Sequence, residues 1–170
     1  IPGTLSLAEV QSVLQHLLRE QVSIRQLALI LETLGDYAPR TKDVVLLTEY
    51  VRHRLARQIC TRYRDEQGQL FVIALDPAME DRIRSGFDHN ERGMFIRMSP
   101  QAIEATCQSI SQQLTKLTTA NHLPIVLVSP QIRAALKQIT ENHLSHLVVL
   151  SFNEITRDTQ IVTLGVATDG

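Results

Sequence analysis

The feature that most constrains this chain is a change of periodicity near Tyr63. Before it, apolar residues recur every three or four positions, the spacing of one helix face. After it, short runs of β-formers alternate with segments that open on proline. Leu7, Val10, Val13, Leu14, Leu17 and Leu18 make a first stripe, opened by Ser6 with Glu9 three residues on, the reciprocal capping pair. Ile24, Leu27, Ile30, Leu31 and Leu34 make a second, which Ser23 with Gln26 would open and Gly35 would close. Val44, Leu47, Val51, Leu55 and Ile59 carry a third over about four turns, starting near Thr41. Three amphipathic helices on short connections predict a helical subdomain over residues 1–64.

Residues 64–68 read as a turn, followed by strands at 70–75, 125–128, 147–152 and 160–166. Asp76-Pro77, Ser99-Pro100 and Ser129-Pro130 each set a capping residue before a proline suited to the first helical position. They predict helices to about residues 85, 120 and 142. Residues 87–93 are polar and glycine-flanked and read as a loop, with a short strand at 94–98. Strands alternating with helices need crossovers. Residues 65–170 are therefore expected to form a small α/β subdomain with a mixed, partly parallel sheet, and the fold class is α plus α/β.

Composition narrows the function. A hydrophobic content of 44% with 21% charged residues is that of a folded globular chain, and a net charge of -1 points to no polyanionic partner. Cys60 and Cys107 sit in apolar helical stripes without zinc or redox spacing, so they read as buried reduced thiols. The longest apolar runs, at 125–128 and 147–150, fall far short of the roughly 20 residues that cross a bilayer. The chain begins at Ile1 rather than methionine, which points to a piece of a longer protein with any membrane anchor upstream. None of the seven glycines falls in a phosphate loop and there is no nucleophile elbow, so neither catalysis nor a cofactor is expected. His143 and His146 lack a third metal ligand and read as a helix C-terminal pair.

Between residues 40 and 64 stand Arg40, Lys42, Arg52, Arg54, Arg57, Arg62 and Arg64, opposed only by Asp43 and Glu49. Three readings fit: a solvated face with Glu49–Arg52 and Glu49–His53 pairing, a protein interface, or a nucleic-acid surface. Asp76, Glu80, Asp81, Asp88 and Glu91 make the next stretch acidic. Opposed patches permit head-to-tail contact, the geometry that closes into rings.

Several strings together resemble one family, the FlhA/InvA-type export-gate proteins of flagellar and virulence type III secretion. They are Leu5-Ser6-Leu7-Ala8-Glu9-Val10, Leu17-Leu18-Arg19-Glu20, Val22-Ser23-Ile24-Arg25 and Ile30-Leu31-Glu32-Thr33-Leu34. Lys42-Asp43 then leads to Leu47-Thr48-Glu49-Tyr50-Val51-Arg52, and Leu150-Ser151-Phe152-Asn153-Glu154-Ile155 is similar to the closing motif. The resemblance implies the third and fourth cytosolic subdomains of a multi-pass inner-membrane protein, on the cytoplasmic face, in a nine-membered ring. It implies docking of secretion chaperone–substrate complexes, gatekeeper and ATPase-complex proteins, with no catalytic residues and no nucleic acid. The string Arg40-Thr41-Lys42-Asp43-Val44-Val45 looks closer to the virulence branch. Alternatives are the flagellar homologue, or a soluble regulatory or nucleic-acid-binding module using the basic third helix. Ring contact is expected at Arg40, Lys42, Glu49, Arg52, Arg54 and Arg57, and a hinge at Arg64, Asp65 and Gly68.

Overall fold

Local chemistry opens most of the elements where the sequence predicts. In the computed structural model, which describes residues 5–90 and 93–169, Ser6 Oγ accepts from Glu9 N–H at 3.1 Å and starts α1 (Leu7–Arg19). Asp43 accepts from Val45 and Leu46 N–H and starts α3 (Val44–Arg54). Asp76 and Ser99 cap α5 (Pro77–Ser85) and α6 (Pro100–Thr118), each with proline at the start. The helix α7 (Pro130–Thr140) also opens on proline but without a side-chain cap bond.

Three local readings change. The helix α2 (Leu27–Tyr37) starts later than Ser23 because that hydroxyl accepts from Arg25 N–H, a local turn, instead of capping the helix. It also runs straight through Gly35, which costs some helix propensity but breaks no hydrogen bond. The third stripe is two helices, α3 and α4 (Ala56–Tyr63), broken at Leu55, whose φ of -92° and ψ of 16° leave the helical region. Leu55 still points into the core, so the apolar period runs unbroken past the kink and hides it. Residues 87–93, expected as a loop, instead begin an antiparallel hairpin of β2 (Phe87–Asn90) and β3 (Gly93–Ile96). Phe87 anchors it inward while its polar neighbours face water. Glu91, of the acidic stretch, lies outside the described residues.

The strands β1 (Gln69–Leu75), β4 (Ile125–Val128), β5 (Val148–Ser151) and β6 (Gln160–Ala167) form one parallel sheet in the order β5-β4-β1-β6. The alternation of side chains across it sorts the core into two layers. Ile73, Leu75, Val126, Val128 and Val149 face α5, α6 and α7. Leu70, Val72, Ile125, Leu127 and Leu150 face the other way and pack with Val13, Leu17, Ile30, Leu34, Leu47 and Val51 of the helical half. The helical half therefore buries its apolar stripe on the sheet, and the two halves share a core. Among the described residues, no helix is long and apolar enough to cross a membrane.

The turn between the halves is held from both sides. Asp65 Oδ1 accepts from Gln67 and Gln69 N–H, and Gly68 carries a left-handed φ of 79°. Gln160 N–H donates to Gly68 C=O at 2.8 Å, and Arg64 donates to Thr159 Oγ1 while pairing with Asp158 at 3.2 Å. Motion at Arg64, Asp65 and Gly68 would have to break this clasp and shear the shared core. Gly68→Ala is expected to lower stability by about 1–2 kcal/mol through the left-handed backbone alone. Gly68→Pro should cost more, because proline cannot reach that φ. Urea unfolding midpoints of the two variants check both.

Candidate functional site at a buried ion-pair junction

The largest fully buried side chain is a cation. Arg133, on the face of α7 turned toward the helical half, is 1% exposed. All five of its N–H groups are used. Nε donates to Glu49 at 2.7 Å and Nη2 to the second Glu49 oxygen at 2.9 Å. Nη1 and Nη2 each donate to a Glu20 oxygen at 2.8 Å, and Nη1 also reaches Val149 C=O at 2.9 Å. Arg52, 2% exposed, sits beside it and forks onto Glu154, with Nε at 2.6 Å and Nη2 at 3.0 Å. Glu154 in turn accepts from Ser151 N–H, closing the short helical turn after β5.

Each charge needs its neighbours to stay ionised. Burial pushes the Glu20 carboxyl up, but Arg133, Arg52 and Lys137 outweigh it and hold the group at about 2. Burial likewise works against ionised Glu154, and Arg52 and Arg133 hold it below the usual carboxylate range. Desolvation opposes the charge on Arg133, yet Glu49 and Glu20 raise its affinity for the proton well above the ordinary value. Glu20 comes from the end of α1, Glu49 and Arg52 from α3, Arg133 from α7, and Glu154 from the turn after β5. The junction bolts the helical layer to the sheet at its β5 edge, where Val149 C=O accepts from arginine in place of another strand.

These positions revise part of the expected contact surface. The local pairs Glu49–Arg52 and Glu49–His53 do not form among the described residues, because both partners of the first reach across the core. Arg52 and Glu49 are thus joints of the fold. Arg40, Lys42, Arg54 and Arg57 remain exposed. Arg40 lies over the Tyr37 ring, which stacks on Tyr50 at 4.0 Å. Arg54 pairs with Asp36 at 3.3 Å and Arg57 with Asp158 at 3.6 Å, both at the surface, where such pairs contribute little. His143 and His146 are exposed beyond α7, and no group of three potential metal ligands occurs among the described residues. Cys60 and Cys107 are free and buried, and burial pushes the Cys107 thiol up. Arg133 carried no signal in the sequence. Glu20, Glu49, Arg52 and Glu154 all lie inside the strings quoted for the family resemblance.

The comparisons with known proteins agree with those strings. The FHIPEP family model matches residues 1–160. The flagellar biosynthesis protein FlhA of Bacillus subtilis is 36% identical over 165 residues, which are 97% of this chain and 24% of that protein. The invasion protein InvA of Salmonella typhimurium is 36% identical over 146 residues, 86% of this chain and 21% of that one. Among solved structures, CdsV of Chlamydia pneumoniae superposes with a TM-score of 0.88 at 29% identity, covering 96% of this chain and 47% of that one. The nonameric EPEC SctV-C does so at 0.84 and 32%, covering 96% and 49%. The fold is thus that of export-gate cytosolic domains, and the chain belongs to the FHIPEP family. It spans about a quarter of the length of the relatives it matches.

Two outcomes test the junction. Arg133→Met strips two part-buried carboxylates of their shared hydrogen-bond donor and should cost about 3–5 kcal/mol, with Arg133→Lys failing to restore the loss because one ammonium cannot bridge both forks. Guanidinium chloride unfolding measures both. The second outcome concerns pH. Because the folded Glu20 sits at about 2 and its ordinary value is 4.5, its contribution is complete above about 4.5 and is lost as pH falls toward 2. Glu20→Gln should be less stable at pH 7 and show a flatter loss of unfolding midpoint between pH 5 and pH 3.

Proposed function

We propose that this chain is the ring-forming, partner-docking cytosolic part of a type III secretion export gate, with no catalytic role of its own. Family membership carries the reading, supported by the nonameric assembly named for the EPEC relative. CdsV has also been solved in complex with CdsO, which supports docking of export components on this fold. Chaperone–substrate complexes, a gatekeeper and ATPase-complex proteins are the proposed partners, at the cytoplasmic face of the inner membrane. Attachment to that membrane would lie in a part of the protein outside this chain. The string from Arg40 to Val45 favours the virulence injectisome, although the flagellar and invasion relatives are equally identical at 36%.

The proposed ring contact is the outward basic face of Arg40, Lys42, Arg54 and Arg57, opposite the side that packs on the sheet. Arg64, Asp65 and Gly68 would then set the angle between the halves by holding it and not by flexing. Arg40→Glu, Arg54→Glu and Arg57→Glu together, placed in the complete protein, should reduce ring assembly in analytical ultracentrifugation and lower secretion. The thermal midpoint of the chain should stay within about 2 °C, since exposed pairs contribute little. Undiminished assembly and secretion would place the contact elsewhere.

A further inference from the structure

A cleft of about 280 Å³ opens along the seam between the two halves, next to the junction but outside it. Its walls come from the end of α1, the end of α4, the segment before β4 and the segment leading into β5. Apolar surface is supplied by Val22, Leu123, Pro124, Leu147 and Val148. The charged groups on its lining are Arg19, Arg52, Arg62 and Lys137, with Glu20 the single carboxylate and His146 at the rim. Glu20 is already spent, as both of its oxygens accept from Arg133.

Two donors on this wall lack acceptors. Arg52 is 2% exposed, and its Nε and Nη2 are committed to Glu154. Its Nη1 makes no hydrogen bond among the described residues and has only Glu20 nearby, at 3.8 Å. A guanidinium nitrogen without an acceptor on the cleft wall can donate to a ligand oxygen, a charge-assisted bond. Tyr63 likewise has no hydrogen bond to its hydroxyl among the described residues. Burial pushes that phenol up, so it stays a donor, and it sits within the field of Arg62 and Arg52. Arg62 is itself fixed, its Nη2 donating to Gln21 Oε1 at 2.9 Å and its guanidinium lying over the Tyr63 ring. Lys137 Nζ is held by Leu147 C=O at 2.8 Å.

We propose that this cleft takes a carboxylate borne on an acidic, leucine-containing peptide segment of a partner protein, with Arg52 Nη1 and the Tyr63 hydroxyl as the donors. Arg52 and Lys137 already face Glu154 and Glu141. It is therefore Arg19 and Arg62, without carboxylate partners among the described residues, that select the negative group, and the apolar walls select a side chain beside it. A bare inorganic anion would satisfy the donors and leave those walls wet. The inference stands on the cleft alone and does not depend on ring assembly.

The test is a nitrogen-15 NMR titration of this chain with N-acetyl-Leu-Glu-Leu-Glu-amide, its Leu-Gln-Leu-Gln counterpart and inorganic phosphate. Saturable shifts confined to Gln21, Tyr63, His146, Leu147 and the Arg52 Nε–H are expected with the acidic peptide, and none with the glutamine peptide. Tyr63→Phe, which removes one donor to the carboxylate, and Arg62→Ala, which removes a cation facing it, leave the buried junction intact and should each weaken binding about tenfold. Absent or scattered shifts, equal affinity in both variants, or equal saturation by phosphate would overturn the proposal. Those results would leave the ring reading untouched.

Discussion

The Arg133 guanidinium is the constraint on which the rest of the structure turns. Burying a charge this deeply is costly unless its donors are met, and here two carboxylates from two different helices and one strand carbonyl meet all five. Hydrophobic packing alone would let helices slide on a sheet with little penalty, since apolar contact has no direction. The paired forks supply that direction, and Arg52 with Glu154 repeats the device one layer nearer the turn after β5.

That rigidity bears on how the molecule presents its surface. With Leu47, Val51, Leu55 and Ile59 buried against the sheet side, Arg54 and Arg57 of α3 and α4 are left exposed, as are Arg40 and Lys42 before them. At the β5 edge Arg133 occupies the Val149 carbonyl, which removes one acceptor that a passing strand could use.

Much of the fold was legible because local chemistry and long-range packing agree. Ser6 with Glu9, and the proline-opened helices after Asp76 and Ser99, form where their residues demand. The kink at Leu55 was hidden because a buried leucine keeps the apolar period while the backbone leaves the helix. The β2–β3 hairpin was hidden because Asp88, His89 and Asn90 are poor strand formers, held there by Phe87 and by the pairing itself. Charge was the least legible part. Glu49 and Arg52 lie three apart on one helix and invite a local pair, yet their partners stand 84 and 102 residues away. Nothing along the chain announces such distances. The strings that resemble the export-gate family nevertheless contain four of the five junction residues, so what the resemblance captured was in large part the architecture of this joint.

The same spacing sets an order on biosynthesis. Glu20 meets Arg133 across 113 residues, and the central strand β1 waits for β4 and β6, both made later. While the helical half is leaving the ribosome, Glu20, Glu49 and Arg52 have no lasting partners, and the apolar stripe that will cover Leu70 and Leu150 has no sheet to lie on. A half that buries part of its stripe on a later-made surface cannot complete its core before that surface exists. The nascent helices can lie on one another early, but the joint itself closes only when α7 and the turn after β5 arrive.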